Sequence, residues 1–174
     1  MENTLSNKYY VQAFDAYPYD LTETLESLSF ALSYESDHAG AHCLLGRLYM
    51  EHLLQFDKAS YHFEQALISD MNFVPTYEHY CKLLIQLKEY GKAEKLIRFA
   101  YKIDGIHLPS IQHKEALLNE HRKNLVAARK LMKLAYENSC IEEERKFLKN
   151  EAERIKLKLN ETGKKSGKGK KKSR

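Results

Sequence analysis

The chain has 174 residues, 43% of them hydrophobic, which is enough apolar material for one core without disulfides. Cys43, Cys81 and Cys140 form no CxxC pair and are too far apart in sequence to suggest a metal knuckle or redox pair, which points to a reducing compartment, the cytoplasm. The net charge of +4 is segregated: seven cations follow Gly163 with no acid among them, and without those seven, residues 1–163 carry −3.

No apolar run approaches the ~18 residues of a membrane span, and the opening MENTLSNKYY has neither the basic start nor the apolar run of a secretory signal, so a soluble protein is expected. The first helical pair is expected over about 5–38. Within it, Tyr17-Pro18-Tyr19-Asp20 followed by Glu23 reads as a turn and an N-cap, with Asp20 accepting from the backbone. In the second pair, about 39–73, Leu44, Leu45, Leu48, Tyr49 and Leu53 recur at helical spacing. A break is expected at Gln55 to Asp57, after which Ala59, Tyr61, Phe63, Ala66 and Leu67 repeat the pattern. The third, about 74–107, carries Tyr77, Tyr80, Leu83, Leu84 and Leu87, a turn at Tyr90-Gly91, then Ala93, Leu96, Ile97 and Ala100. The fourth, about 108–138, is read from its second half, Ala128, Met132 and Ala135.

The unit is set by four alanines. Ala31, Ala66, Ala100 and Ala135 are 35, 34 and 35 positions apart, each after a bulky residue and before a polar stretch. Pro75 and Pro109 fall at matching places near the first turn of the leading helices, where a missing N–H is harmless. A last helix is expected over 140–160, opened by a capping box at Ser139-x-x-Glu142. Its stripe, Ile141, Leu148, Ala152, Ile155 and Leu159, suits a cap on the fourth pair; the same stripe would also serve self-association as a coiled-coil seam. Residues 161–174, with Lys164, Lys165, Lys168, Lys170, Lys171, Lys172 and Arg174, are low in complexity and expected to be disordered.

The second pair reads His42-x2-Leu45-Gly46-x2-Tyr49, then Ala59-x3-Phe63-x2-Ala66-x4-Met71. The third reads Tyr77-x2-Tyr80-Cys81-x2-Leu84, then Ala93-x3-Ile97-x2-Ala100-x4-Gly105. These spacings resemble the tetratricopeptide repeat, W-x2-L-G-x2-Y followed by A-x3-F-x2-A-x4-P. His42 replaces the tryptophan, Met71 the proline, and the turn of the second pair is one residue longer. The resemblance implies an all-α protein, an α-α superhelix of about four helical hairpins plus a C-terminal capping helix. It also implies a groove lined by the leading helices, where Tyr9, Ala13, Arg47, Met50, Glu78, Lys82, Gln112 and Asn119 fall. The carboxylate clamp with which some members hold a chaperone tail is not reproduced, since its places carry Tyr9, Ala13, Leu44, Pro75 and His79.

The twelve tyrosines are expected mainly as inter-helix packing, in a chain without tryptophan. There is no HExxH, no glycine-rich phosphate loop and no nucleophile–base pair, so no catalytic residue, cofactor or metal is expected. His79 and His113 recur one repeat apart and are read as packing. The expected function is a non-enzymatic scaffold that binds a partner protein or peptide segment in the groove, with the basic tail adding electrostatic attraction. The alternatives are a nucleic-acid or ribosome accessory protein contacting phosphates through the tail, or a small repeat-type chaperone.

Overall fold

A computed structural model describes the backbone of residues 2–169, with side chains from 4 to 161. Among the described residues there are nine helices and no strand: α1 (Glu2–Ala16), α2 (Leu21–Tyr34), α3 (Ala39–Glu51), α4 (Phe56–Ser69), α5 (Pro75–Gln86), α6 (Tyr90–Ala100), α7 (Leu108–His121), α8 (Leu125–Asn138) and α9 (Glu142–Gly169). The chain divides into two compact units, Met1–Leu83 and Leu84–Arg174, with the boundary inside α5. The marker alanines are all core positions: Ala31, Ala66, Ala100 and Ala135 are 0% exposed, where close packing favours a small side chain.

In the first unit, α1 pairs with α2 and α3 with α4. Asp20 caps α2, its carboxylate accepting from the Glu23 N–H at 2.9 Å. Ala13, Leu28, Ala31, Ala41, Leu44 and Leu45 form the core, flanked by Tyr10, Tyr17 and Tyr49. The α3–α4 contact depends on Gly46, where a Cβ would lie 2.7 Å from two ring carbons of Phe63. Phe63 is 0% exposed and also stacks on Tyr80, with ring centroids 5.6 Å apart. Burial of such a ring stabilises by about 1.5–3 kcal/mol.

The turns sit earlier than their composition suggests. In the second hairpin the break spans 52–55 rather than Gln55 to Asp57, and Leu53, assigned to the helix by spacing, lies in the turn. Leu54 adopts a left-handed φ of 52°, which an α-helix does not propagate. Lys88 (φ 62°) and Lys123 (φ 64°) do the same in the next two turns, so Tyr90-Gly91 opens α6 instead of forming the turn. After each of those lysines an N–H reaches back five residues, Glu89 to the Leu84 carbonyl and Asn124 to that of Asn119. The corresponding bond after Leu54, from Gln55 to Tyr49, spans six, which is the extra residue seen in the sequence.

In the second unit, α7 and α8 form a hairpin on which α9 packs. Ala116, Ala128, Met132, Ala135, Leu148 and Ile155 make one core, with Ala152 and Leu159 against its edge. Ile141 departs from the expected stripe: it precedes α9 and is 54% exposed. The capping box is also shifted, because the helix starts two residues later than that motif requires. The Ser139 hydroxyl accepts from the Ile141 N–H and donates to Glu144, not Glu142. The helix continues to Gly169, past residue 160 and into the stretch expected to be disordered; no proline interrupts it, and a helical glycine costs only about 1 kcal/mol. The side chains of Lys164, Lys165 and Lys168, and residues Lys170, Lys171, Lys172 and Arg174 altogether, lie outside the described residues.

Candidate functional site

On α3, nine of thirteen residues are buried, so only Ala39, Arg47, Tyr49 and Glu51 are partly open to solvent. Arg47 and Glu51 stand one helical turn apart, 4.0 Å between charged atoms. Two further leading helices converge on Glu51. The Tyr17 hydroxyl, from the end of α1, donates to its Oε2 at 2.6 Å, and the Lys82 ammonium, from α5, donates to its Oε1 at 3.0 Å. The Arg47 guanidinium lies over the Tyr17 ring, 4.7 Å from its centroid. Three successive hairpins thus present one polar ladder.

The electrostatics follow from partial burial. Desolvation works against the Glu51 charge, but the Tyr17 hydroxyl, Lys82 and Arg47 outweigh it and hold the carboxyl below its usual range. Burial, then the hydrogen bond to the Glu51 carboxylate, pushes the Tyr17 phenol up. A hollow of about 320 Å³ opens here, lined by Phe14, Tyr17, Pro18, Arg47, Glu51 and His52. Phe14, at 54% exposure, gives it an apolar wall beside the charges. The Nε of Arg47 is buried without a hydrogen-bond partner, and the side chain is held by its stack on Tyr17 and its pairing with Glu51.

The other residues expected to line the groove fare differently. Met50 is 3% exposed and belongs to the core; Ala13 is fully buried. Tyr9 turns into its own hairpin, 5.2 Å from Phe30 and 5.8 Å from Tyr34 between ring centroids. Glu78 is half-buried on α5, one turn before Lys82. In the second unit Gln112 is 5% exposed and accepts from the Asn138 amide at 3.0 Å. Asn119 is half-buried and lines a polar cleft of about 300 Å³ between α6 and α7 with Glu94, Arg98, Tyr101, Glu115 and Arg122. The leading helices are flanked on two sides, so a position displaced by one residue from the open strip is core. Sequence reasoning passed over Tyr17 and Glu51, although their separation of 34 is the repeat period itself.

Among the described residues, no group of three or more His, Cys, Asp or Glu is arranged to hold a metal ion. No helix among them is long and apolar enough to cross a membrane.

No family model and no curated protein sequence matches this chain. Solved structures do. A tetratricopeptide repeat protein from Parabacteroides merdae ATCC 43184 superposes with a TM-score of 0.66 at 19% identity over 94% of this chain. The chain spans 64% of that protein's length. MamA from residue 41 to its end, from Desulfovibrio magneticus RS-1, superposes with a TM-score of 0.64 at 13% identity, covering 99% of this chain and 98% of the other. At such identities the likeness is one of fold, and it agrees with the buried alanines and the Gly46–Phe63 contact: the chain has an all-α helical-repeat fold of the tetratricopeptide type.

Proposed function

We propose that the protein is a non-enzymatic interaction scaffold that holds a segment of a partner protein on its leading-helix face, with Arg47, Glu51, Lys82 and Tyr17 as the contact centre. The observation that carries this reading is the convergence of three leading helices on Glu51. An arginine stacked on an aromatic ring, next to an exposed phenylalanine, is the residue mixture that dominates binding energy at protein interfaces. The ladder is also held in place before a partner arrives, which lowers the ordering cost of binding. No bound group is required for this work, and the reading sits comfortably with a cytoplasmic protein. The seven cations after Gly163 add attraction to an acidic partner and leave specificity to the ladder.

The test is affinity capture from native lysate, with and without nuclease, using the full chain and the double variant Arg47→Gln, Lys82→Gln. Both substitutions keep size and polarity and remove charge, and circular dichroism checks that the helical signal is intact. Partners held by the wild type should be lost or weakened about tenfold in the variant. Equal retention by both proteins would place the binding surface elsewhere. Loss of all captured material on nuclease treatment alone would favour the phosphate-contacting reading, for which the segregated charge of residues 164–174 is the specific support.

A further inference from the structure

A concave surface of the second unit lies between α8 and α9. On α8, Val126, Arg129, Lys130 and Lys133 fall at helical steps on the side opposite the buried Ala128, Met132 and Ala135. On α9, Lys149, Ala152, Glu153 and Leu159 form the facing stripe. Between them runs a groove of about 650 Å³ with Val126, Ala152, Leu159 and the Tyr136 ring as its apolar floor. Val126 is 70% exposed and so is open to apolar contact.

Four cations surround that floor against a single lining acid, Glu153, which feels Arg129 and Lys149 electrostatically and leaves the groove with an excess of positive charge. Glu153 already accepts from Lys156 at 2.9 Å, and Lys133 reaches only Glu137, at 3.6 Å on its own helix. Arg129, Lys130 and Lys149 close no ion pair among the described residues. We propose that this groove is a second docking site, for an acidic amphipathic helix of a protein partner: a stripe of leucine-like side chains on the Val126–Ala152–Leu159 floor, with flanking carboxylates on Arg129, Lys130, Lys133 and Lys149. Charge complementarity selects an anion, and the aliphatic floor selects a helix that brings apolar side chains with it. A nucleic-acid strand would leave the floor uncovered. The aromatic ring it could stack on, Tyr136, is already taken on one face by the Arg145 guanidinium at 4.6 Å.

Fluorescence anisotropy on the full chain tests this. The probe is a labelled amphipathic peptide of about four helical turns, with leucine along one stripe and glutamate elsewhere. Its controls are the same peptide with serine for leucine, and poly(U). The wild type should bind the leucine–glutamate peptide, and the double variant Arg129→Glu, Lys133→Glu should weaken it at least about tenfold. Val126→Ser, at a position too exposed to affect folding, should weaken it about threefold without changing charge. Replacing the seven cations of residues 164–174 with glutamine should change binding by less than about twofold, which separates the groove from the tail. If the charge reversals lower the helical signal, the milder pair Lys130→Gln, Lys149→Gln decides, with a loss of about threefold expected. Affinity unchanged by these groove variants, equal binding of the serine peptide, or competition by poly(U) that depends on the same cations would overturn the proposal.

Discussion

His42 stands where the repeat's consensus has tryptophan, and the structure gives the substitution a physical role. Its Nε2 lies 3.0 Å from the Ser36 carbonyl, so it carries the hydrogen there, and its bare Nδ1 faces the Nδ1 of His62 at 3.0 Å. His62 must then donate from Nδ1, which fixes the tautomers of both rings. A proton added to His42 at Nδ1 would set N–H against N–H, and one added to His62 at Nε2 would place a second charge beside it. Burial, the nearby His42 and Lys58 push His62 down to about 4; burial also lowers His42, with His38 adding to it against the Ser36 carbonyl and Asp37. The sign follows from linkage. The unfolded chain takes up protons near pH 6.5 and the folded pair does not, so the stabilisation is complete above pH 6.5 and falls away as pH drops towards 4. His62 is partly solvated, so its share is discounted to about 1 kcal/mol. Urea denaturation at pH 7.5 and 4.5 should show the wild type losing about 1 kcal/mol more between the two than His62→Gln. Equal losses would mean that the pair is protonated without strain.

At the scale of elements, the attachment of α9 to the α7–α8 hairpin combines an apolar contact with one ion network. The Arg154 guanidinium donates both arms to the Glu120 carboxylate and Lys158 adds a third bond at 2.6 Å, so α9 is pinned to α7 from two successive turns. The Arg154 hydrogen bonds, with Lys158 and against the effect of burial, hold Glu120 down to about 2. A carboxyl depressed in the fold stabilises above its unfolded value of 4.5, and that contribution disappears as pH falls through about 2. After discounting for solvent screening, Glu120→Gln should lower stability by about 1–2 kcal/mol at pH 7. The difference from wild type should narrow below pH 4.5 and close near pH 2, as followed by thermal melts; a difference that stayed constant over that range would assign the loss to packing. The apolar half of this contact was legible beforehand, because Leu148 and Ile155 stand seven apart on an otherwise charged helix, and both are buried. Ile141 was misread because periodicity cannot tell the last loop residue from the first helical one. The hairpins were legible because the recurring alanines are core positions, all fully buried. The proposed binding face was only half legible. Arg47 and Lys82 lie on the open strip of their helices, but Met50 and Gln112 sit on flanks that neighbouring elements bury, and hydropathy gives no warning of that for a methionine or a glutamine.

For the whole molecule, the separation of charge poses a question that neither unit answers alone. Residues 1–163 carry −3 and the remainder +7, so nonspecific attraction to a polyanion should belong to the tail. If about five tail cations neutralise single-stranded phosphates, the logarithm of the poly(U) association constant should fall against the logarithm of salt with a slope of roughly −3.5. That is about a hundredfold loss between 50 and 200 mM salt. Replacing Lys164, Lys165, Lys168, Lys170, Lys171, Lys172 and Arg174 with glutamine in the full chain should bring the slope close to zero. A slope that survives the replacement would move the polyanion contact to the cations between α8 and α9, Arg129, Lys130, Lys133 and Lys149, where it would compete with the acidic helix proposed for that groove. A slope that vanishes, with capture of the partner through Arg47 and Lys82 intact, would assign the two functions to separate parts of the chain. The tail would then raise the local concentration of an acidic partner, and the leading-helix ladder would decide which partner stays.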